Sequence, residues 1–204
     1  AVSSDDSPVQ HFLDTLKGGH MKNDHELLKT MVEEGPSIAK WLLDLGVLFD
    51  RDTNGNLHVK KGGGSTKARL LTCSDYTGLE IMRVLKDEVL NQKIQLSEFS
   101  AAVELLSDQH GACTGAVLQD LDNKRFLVVA AKTVILATGG IGRLHIQGFP
   151  TSNHYGATGD GLVLAYRMGA SLVQIDTFQY HPSGGVYPEQ LIGALVTEGI
   201  RSEG

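Results

Sequence analysis

Val134-Ile135-Leu136-Ala137-Thr138-Gly139-Gly140 is an apolar run that ends in two adjacent glycines. With Lys132 and Thr133 in front, it reads as a short buried strand, too brief for a helix and rich in β-branched residues. A glycine has no Cβ, so a cofactor or another backbone can come close at the carboxyl end of such a strand. A tight turn after a core strand would be spelled the same way. The run therefore sets the fold class, and the chemistry must be read from its surroundings.

On the amino-terminal side lie Gly115–Leu118 and Phe126–Ala130, joined through Asp122-Asn123, which predicts an antiparallel meander. Ala101–Leu106 and Ile94–Leu96 are further strand-like runs. Thr77 to about Asn91 reads as a helix with Ile81, Met82, Leu85 and Val89 on one side. Before it, Asn54-Gly55 predicts a hairpin between Val47-Leu48-Phe49 and Leu57-His58-Val59. Gly62-Gly63-Gly64-Ser65 is a flexible or close-approach loop. Pro8 to Gly46 is helical: Phe12, Leu13 and Leu16 form a stripe ended by Gly18-Gly19, and Asp24 caps a second stripe from Leu27 to Leu45. Pro36 is expected to break that second stripe into two helices. On the carboxyl side, Thr158-Gly159-Asp160-Gly161 opens a helix that Gly169 stops, and Leu172–Ile175 reads as a strand. Helices and strands around one buried apolar strand predict an α/β domain carrying an antiparallel β meander and a helical insertion.

Composition narrows the function classes. The 204 residues are 41% hydrophobic and 21% charged, as in ordinary globular domains, with a net charge of −6. Lys60-Lys61 and Lys67-Ala68-Arg69 are the densest cationic stretch, which argues against nucleic-acid binding. The two cysteines, Cys73 and Cys113, have no metal-site or disulfide spacing, so no metal is expected and a reducing cytoplasm suits them. No apolar run has the length of a transmembrane segment. A start at Ala1 in place of Met, with an end at Gly204, reads as the two ends of a cut-out.

The order of four motifs carries the functional reading. Ala137-Thr138-Gly139-Gly140 is followed by Thr158-Gly159-Asp160-Gly161, by Gln179-Tyr180-His181-Pro182, and by Thr197-Glu198-Gly199-Ile200-Arg201-Ser202-Glu203-Gly204. Singly each has a plain explanation: a helix cap, a core histidine, a solvated ion pair. Together they resemble the flavoprotein subunit of succinate dehydrogenases and fumarate reductases and the related L-aspartate oxidases. Ser7-Pro8, His11-Phe12-Leu13-Asp14-Thr15 and Ser74-Asp75-Tyr76-Thr77-Gly78 extend the resemblance over nearly the whole chain.

The resemblance implies an FAD/NAD(P)-binding-type domain, here a partial FAD-binding domain over 1–204, and a hydride exchanged between FAD and a dicarboxylate such as fumarate or succinate. It implies FAD contacts at Ala102, through its backbone, and at Ala137, Thr138, Gly139, Gly140 and Asp160. It assigns His181 and Thr197 to the substrate carboxylates, which suits an imidazole and a hydroxyl as donors to an anion. Glu198 and Arg201 match a proton-delivery path that ends on an arginine of a later segment. The implied partners are a small dicarboxylate and an iron-sulfur or other electron-transfer subunit. The implied location is the cytoplasm, or the cytoplasmic membrane face through partner subunits.

No GxGxxG follows a strand, so a pyrophosphate-cradling helix start is missing. The isolated chain is therefore expected to bind FAD weakly or not at all, and to be catalytically inert. The same absence argues against a nicotinamide-dependent enzyme. Ser183 and Ser202 stand where the family has Thr and Gly. Gly62 stands where aspartate oxidases carry a Glu suited to an amino group, and the loop from His181 to Thr197 has a length nearer to theirs. The missing carboxylate favours an unsubstituted dicarboxylate over aspartate.

Overall fold

The computed structural model describes residues 5–144, 150–181 and 183–196. They fall into two compact units, which divide after Ile94.

The first unit opens with two helices whose limits follow from their caps. Ser7 accepts from the backbone N–H of Gln10 (3.1 Å), and Pro8 begins α1 (Pro8–Gly18), where a missing N–H is harmless. Asp24 accepts from Glu26 N and Leu27 N, each at 3.0 Å, and starts α2 (His25–Asp44). Gly46 ends α2 at φ +103°, with Val47 N bonded to Leu42 O and Gly46 N to Leu43 O. That paired exit satisfies two end carbonyls and needs a residue tolerant of left-handed geometry.

The expected break at Pro36 does not occur: α2 runs through it. Part of a proline's penalty in a helix is its clash with the residue before it, and here that residue is Gly35, which has no side chain to clash.

Val47 and Phe49 are buried with Val84 and form the core, with Leu42, Leu57, Leu71 and Ile81 packed on it. The Asn54-Gly55 turn forms, but its pairing is displaced: Arg51 bridges Leu57, while Val47 and Phe49 are buried and Leu48 between them faces outward. The main ladder joins β1 (Val59–Lys61) and β2 (Ala68–Leu71), antiparallel across the Gly62–Ser65 turn. Asp50 ties the layers together. Its carboxylate accepts from Thr72 Oγ1 (2.7 Å), Ser74 N (3.0 Å) and Lys60 Nζ (3.2 Å), and these donors hold it below the usual carboxylate range. The helix α3 (Thr77–Asn91) has the expected limits.

The second unit is built on the meander: β3 (Ser100–Ser107), β4 (Cys113–Asp120) and β5 (Phe126–Ala130), antiparallel in that order. Asp120 closes the β4–β5 turn by accepting from Asp122 N and Asn123 N, each at 2.9 Å. The helix α4 (Asp160–Arg167) packs on β3 and buries Leu164.

Three expected strands are absent. Ile94–Leu96, Lys132–Thr138 and Leu172–Ile175 are irregular, and Ile135 is 86% exposed. A strand apolar on both faces draws its ladder and its cover from neighbours, and among the described residues no strand pairs with Val134–Leu136, which leaves Ile135 uncovered.

Candidate cofactor and substrate site

The two glycine motifs of the second unit meet. Gly159 takes φ +75° as the residue before α4, a conformation that favours glycine, and lies against Ile141, whose Cγ2 would be 2.9 Å from an added Cβ. Gly161, the second residue of α4, lies against Thr138, whose Oγ1 fills the space a Cβ would take. Thr158 Oγ1 donates a hydrogen bond to Asp160 Oδ2. Arg143 N donates to Ala157 O (2.8 Å), and the Arg143 guanidinium stacks 4.2 Å from the centre of the Tyr155 ring. Residues 137–143 are thus held against 153–161 by backbone, steric fit and a cation–π contact. Gly139 (φ +74°) and Gly140 look onto open space, with no atom within 4 Å of an added Cβ.

The same run leads into a cleft of about 410 Å³ whose wall includes Gly142, Asn153, Gln179, His181, Gly185 and Leu195. His181 is exposed, and its Nδ1 lies 3.1 Å from Ser183 O and 3.3 Å from Ser183 N. Gly185 and Gly193 close the loop beyond it: Gly193 N donates to Gly185 O (2.9 Å), and Gly185 N donates to Ala194 O (2.9 Å).

The structure therefore brings Ala137 to Gly140 and Asp160 together, and opens the cleft containing His181 from the end of the same run. Ala102 sits on β3 opposite Leu118, just before a register shift. Thr197, Glu198 and Arg201 lie outside the described residues. Sequence reasoning missed Gly142 and Asn153. The signal for Gly142 was present as the third glycine of Gly139-Gly140-Ile141-Gly142, whereas nothing local marks Asn153.

It also missed an ion cluster in the first unit. Arg69 donates two hydrogen bonds to Asp6 (2.8 and 2.9 Å) and one from Nη1 to Asp14 Oδ2 (2.7 Å). Asp14 also accepts from Thr66 N (2.9 Å) and Thr66 Oγ1 (2.8 Å). The three charged side chains are at most 8% exposed. The Thr66 and Arg69 donors pull Asp14 well below the carboxylate range, and the Arg69 hydrogen bond lowers Asp6. Burial, then the Arg69 charge, pushes His11 down. In the sequence Arg69 stands out only as part of a cationic stretch, because its partners are 55 and 63 residues away. Among the described residues no three His, Cys, Asp or Glu side chains gather in a way that could hold a metal.

Helices and a β meander that close two glycine-rich turns beside an open cleft are the arrangement of a cofactor-binding domain. The chain belongs to the FAD binding domain family, whose model matches residues 1–204. It is 37% identical over 203 residues to a subunit of the fumarate reductase (CoM/CoB) of Methanothermobacter marburgensis, covering all of this chain and 36% of that protein. L-aspartate oxidase 2 of Ralstonia nicotianae is 34% identical over 204 residues, covering 99% of this chain and 37% of that protein. Among solved structures, the Mycobacterium smegmatis Sdh1 complex with UQ1 superimposes with a TM-score of 0.86 at 35% identity, over 98% of this chain and 35% of that one. The family resemblance and the fold class read from the sequence are borne out, and FAD is the cofactor. The chain spans about a third of the length of these relatives.

The residues present fit part of that cofactor. Gly139 and Gly140 leave the backbone accessible, the glycines about α4 permit close approach to its first turn, and the buried Nε of Arg143 has no hydrogen-bond partner among the described residues.

Proposed function

We propose that the protein containing this chain is an FAD-dependent oxidoreductase that interconverts an unsubstituted dicarboxylate pair, fumarate and succinate. One observation carries the reading: a single short run, 137–142, backs onto the start of α4 through Thr138 and lines the cleft of His181 through Gly142. Cofactor contacts and substrate contacts are thereby set a few residues apart on one rigid piece of backbone.

In this reading Ala137, Thr138, Gly139, Gly140 and Asp160 hold FAD, with Ala102 contributing backbone from β3. When bound, FAD supplies or accepts the hydride. His181 and Thr197 donate hydrogen bonds to the substrate carboxylates, orienting the double bond and neutralising charge. Glu198 and Arg201 pass the proton that fumarate gains, or succinate loses, alongside the hydride. An arginine releases its proton only where its surroundings destabilise the cation, so the relay needs a low-dielectric path. An iron-sulfur or other electron-transfer subunit is the proposed electron partner, and the cytoplasm the proposed location. Among the described residues no helix is long and apolar enough to cross a membrane.

L-aspartate oxidation is the second reading, favoured by the 34% identity to such an enzyme. Gly62 weighs against it. An added Cβ there would stand 2.8 Å from Cδ1 of Leu70, so a carboxylate side chain at this position must first displace Leu70.

The test is steady-state assay of the full-length, FAD-loaded protein with a reduced viologen dye and fumarate, and with L-aspartate and oxygen. Dye oxidation that depends on fumarate supports the proposal. Peroxide formation from aspartate, with fumarate inert as a substrate, would overturn it.

A further inference from the structure

His181 shares its cleft with a segment, 150–153, that belongs to none of the four motifs. Thr151 Oγ1 accepts two hydrogen bonds from one residue there: from Asn153 N (3.1 Å) and from Asn153 Nδ2 (2.8 Å). The carboxamide is therefore fixed to its own loop, with one N–H used and a second N–H and Oδ1 left over from that contact.

The amide also lies flat against Gly142. A Cβ on Gly142 would stand 2.5 Å from Nδ2 and 2.6 Å from Cγ of Asn153, closer than real side chains pack. Gly142 is not among the residues at positive φ, so its backbone could belong to any residue. What requires a glycine there is the seat of Asn153. The third glycine of the run thus has a role distinct from that of the first two, which look onto open space.

A dianion in this cleft needs donors, and among the described lining residues His181 is the sole imidazole and no lysine or arginine is present. A fixed, uncharged amide is suited to add a second donor without the mobility of a long cationic side chain. On the reading of the cleft proposed above, we infer that Asn153 is a substrate-positioning residue whose second N–H donates to a carboxylate oxygen of the dicarboxylate, and that Gly142 exists to admit it.

The experiment uses the full-length, FAD-loaded protein and the variants Asn153→Ala, Asn153→Asp, Gly142→Ala and His181→Ala. Two quantities are measured: KM and kcat for fumarate, and the dissociation constant of malonate, a dicarboxylate that cannot react, from the shift it causes in flavin absorbance. Asn153→Asp keeps the shape, and the Thr151 hydroxyl can donate to it in place of accepting, but it sets a carboxylate against a dianion. It should raise KM and the malonate constant by more than about tenfold, with kcat within about threefold. Asn153→Ala should shift both in the same direction by less. Gly142→Ala should reproduce Asn153→Ala, because the new methyl displaces the amide.

If His181→Ala weakens malonate binding and Asn153→Asp does not, the assignment of Asn153 is wrong and the cleft reading stands. If neither variant affects malonate, the cleft is not the substrate site and both readings fall. Loss of flavin from Asn153→Ala and Asn153→Asp would give the residue to the cofactor or the fold, and would also overturn the assignment.

Discussion

Thr138 and Gly161 interlock: the hydroxyl of the first occupies the volume that a side chain on the second would need. This is a close contact between two motifs more than twenty residues apart, and it makes Gly161 a steric requirement beyond its place at a helix start. Gly161→Ala should force Thr138 out of its rotamer or push α4 away, at about 1–3 kcal/mol for overpacking. The expected outcome is a lower thermal midpoint and lower FAD content of the purified protein. Adding Thr138→Ala should recover part of both. Normal flavin content and stability in Gly161→Ala would show that the contact is readily relieved.

A second prediction concerns the carboxylate donors. In the full-length protein His181→Ala and Thr197→Ala should each raise the fumarate KM by about tenfold or more, as expected for losing a hydrogen bond to an ion. Arg201→Ala should instead lower kcat by about a hundredfold or more while changing malonate binding little, because a proton relay acts during turnover. Unchanged kcat in Arg201→Ala would remove it from the relay.

The ion cluster predicts a pH response. Asp6 and Asp14 are lowered from their ordinary values in the folded state, so the unfolded chain binds more protons as pH falls. The stability these groups contribute is fully present above the unfolded carboxylate range, near pH 4, and is lost as pH falls through and below it. His11, also lowered, adds a loss that begins below about pH 6.5. Urea denaturation between pH 7 and pH 3 should show stability declining on acidification, and the decline should flatten in Arg69→Met. The variant should also unfold at a lower temperature at pH 7, because it leaves two enclosed carboxylates without their cation. An identical pH slope in wild type and variant would contradict the mechanism.

The cap of α2 gives the simplest test of local structure. Asp24→Ala removes the acceptor for two backbone N–H groups at an exposed helix end. It should cost about 1 kcal/mol. Asp24→Ser or Asp24→Asn should restore most of the loss in thermal unfolding.

What could be read in advance divides along physical lines. Asp24, Gly46 and the limits of α3 were legible because caps and stops are local chemistry between residues a few positions apart. The meander was legible because strand periodicity and the Asp120–Asn123 turn lie in one stretch. Pro36 misled because the helix penalty for proline acts partly through its predecessor, and Gly35 relaxes it. Val134–Leu136 misled in the opposite way: its strand character is real as composition, but pairing belongs to neighbours. The meeting of Thr138 with Gly161, the seating of Asn153 on Gly142 and the partners of Arg69 could not be read, since each is a fact of tertiary packing with no local signature. The motifs named the site residues; the fold supplied their company.

The outer edge of β5 has a consequence for anyone handling the chain alone. Among the described residues no strand pairs with that edge, and Phe126, Leu127 and Val128 are each more than half exposed. An open, apolar, uncharged strand is a template for addition of a like strand from another molecule. Aggregation by edge-to-edge growth, more than unfolding, will therefore set the upper limit on workable concentration, and a lysine at Val128 should raise that limit.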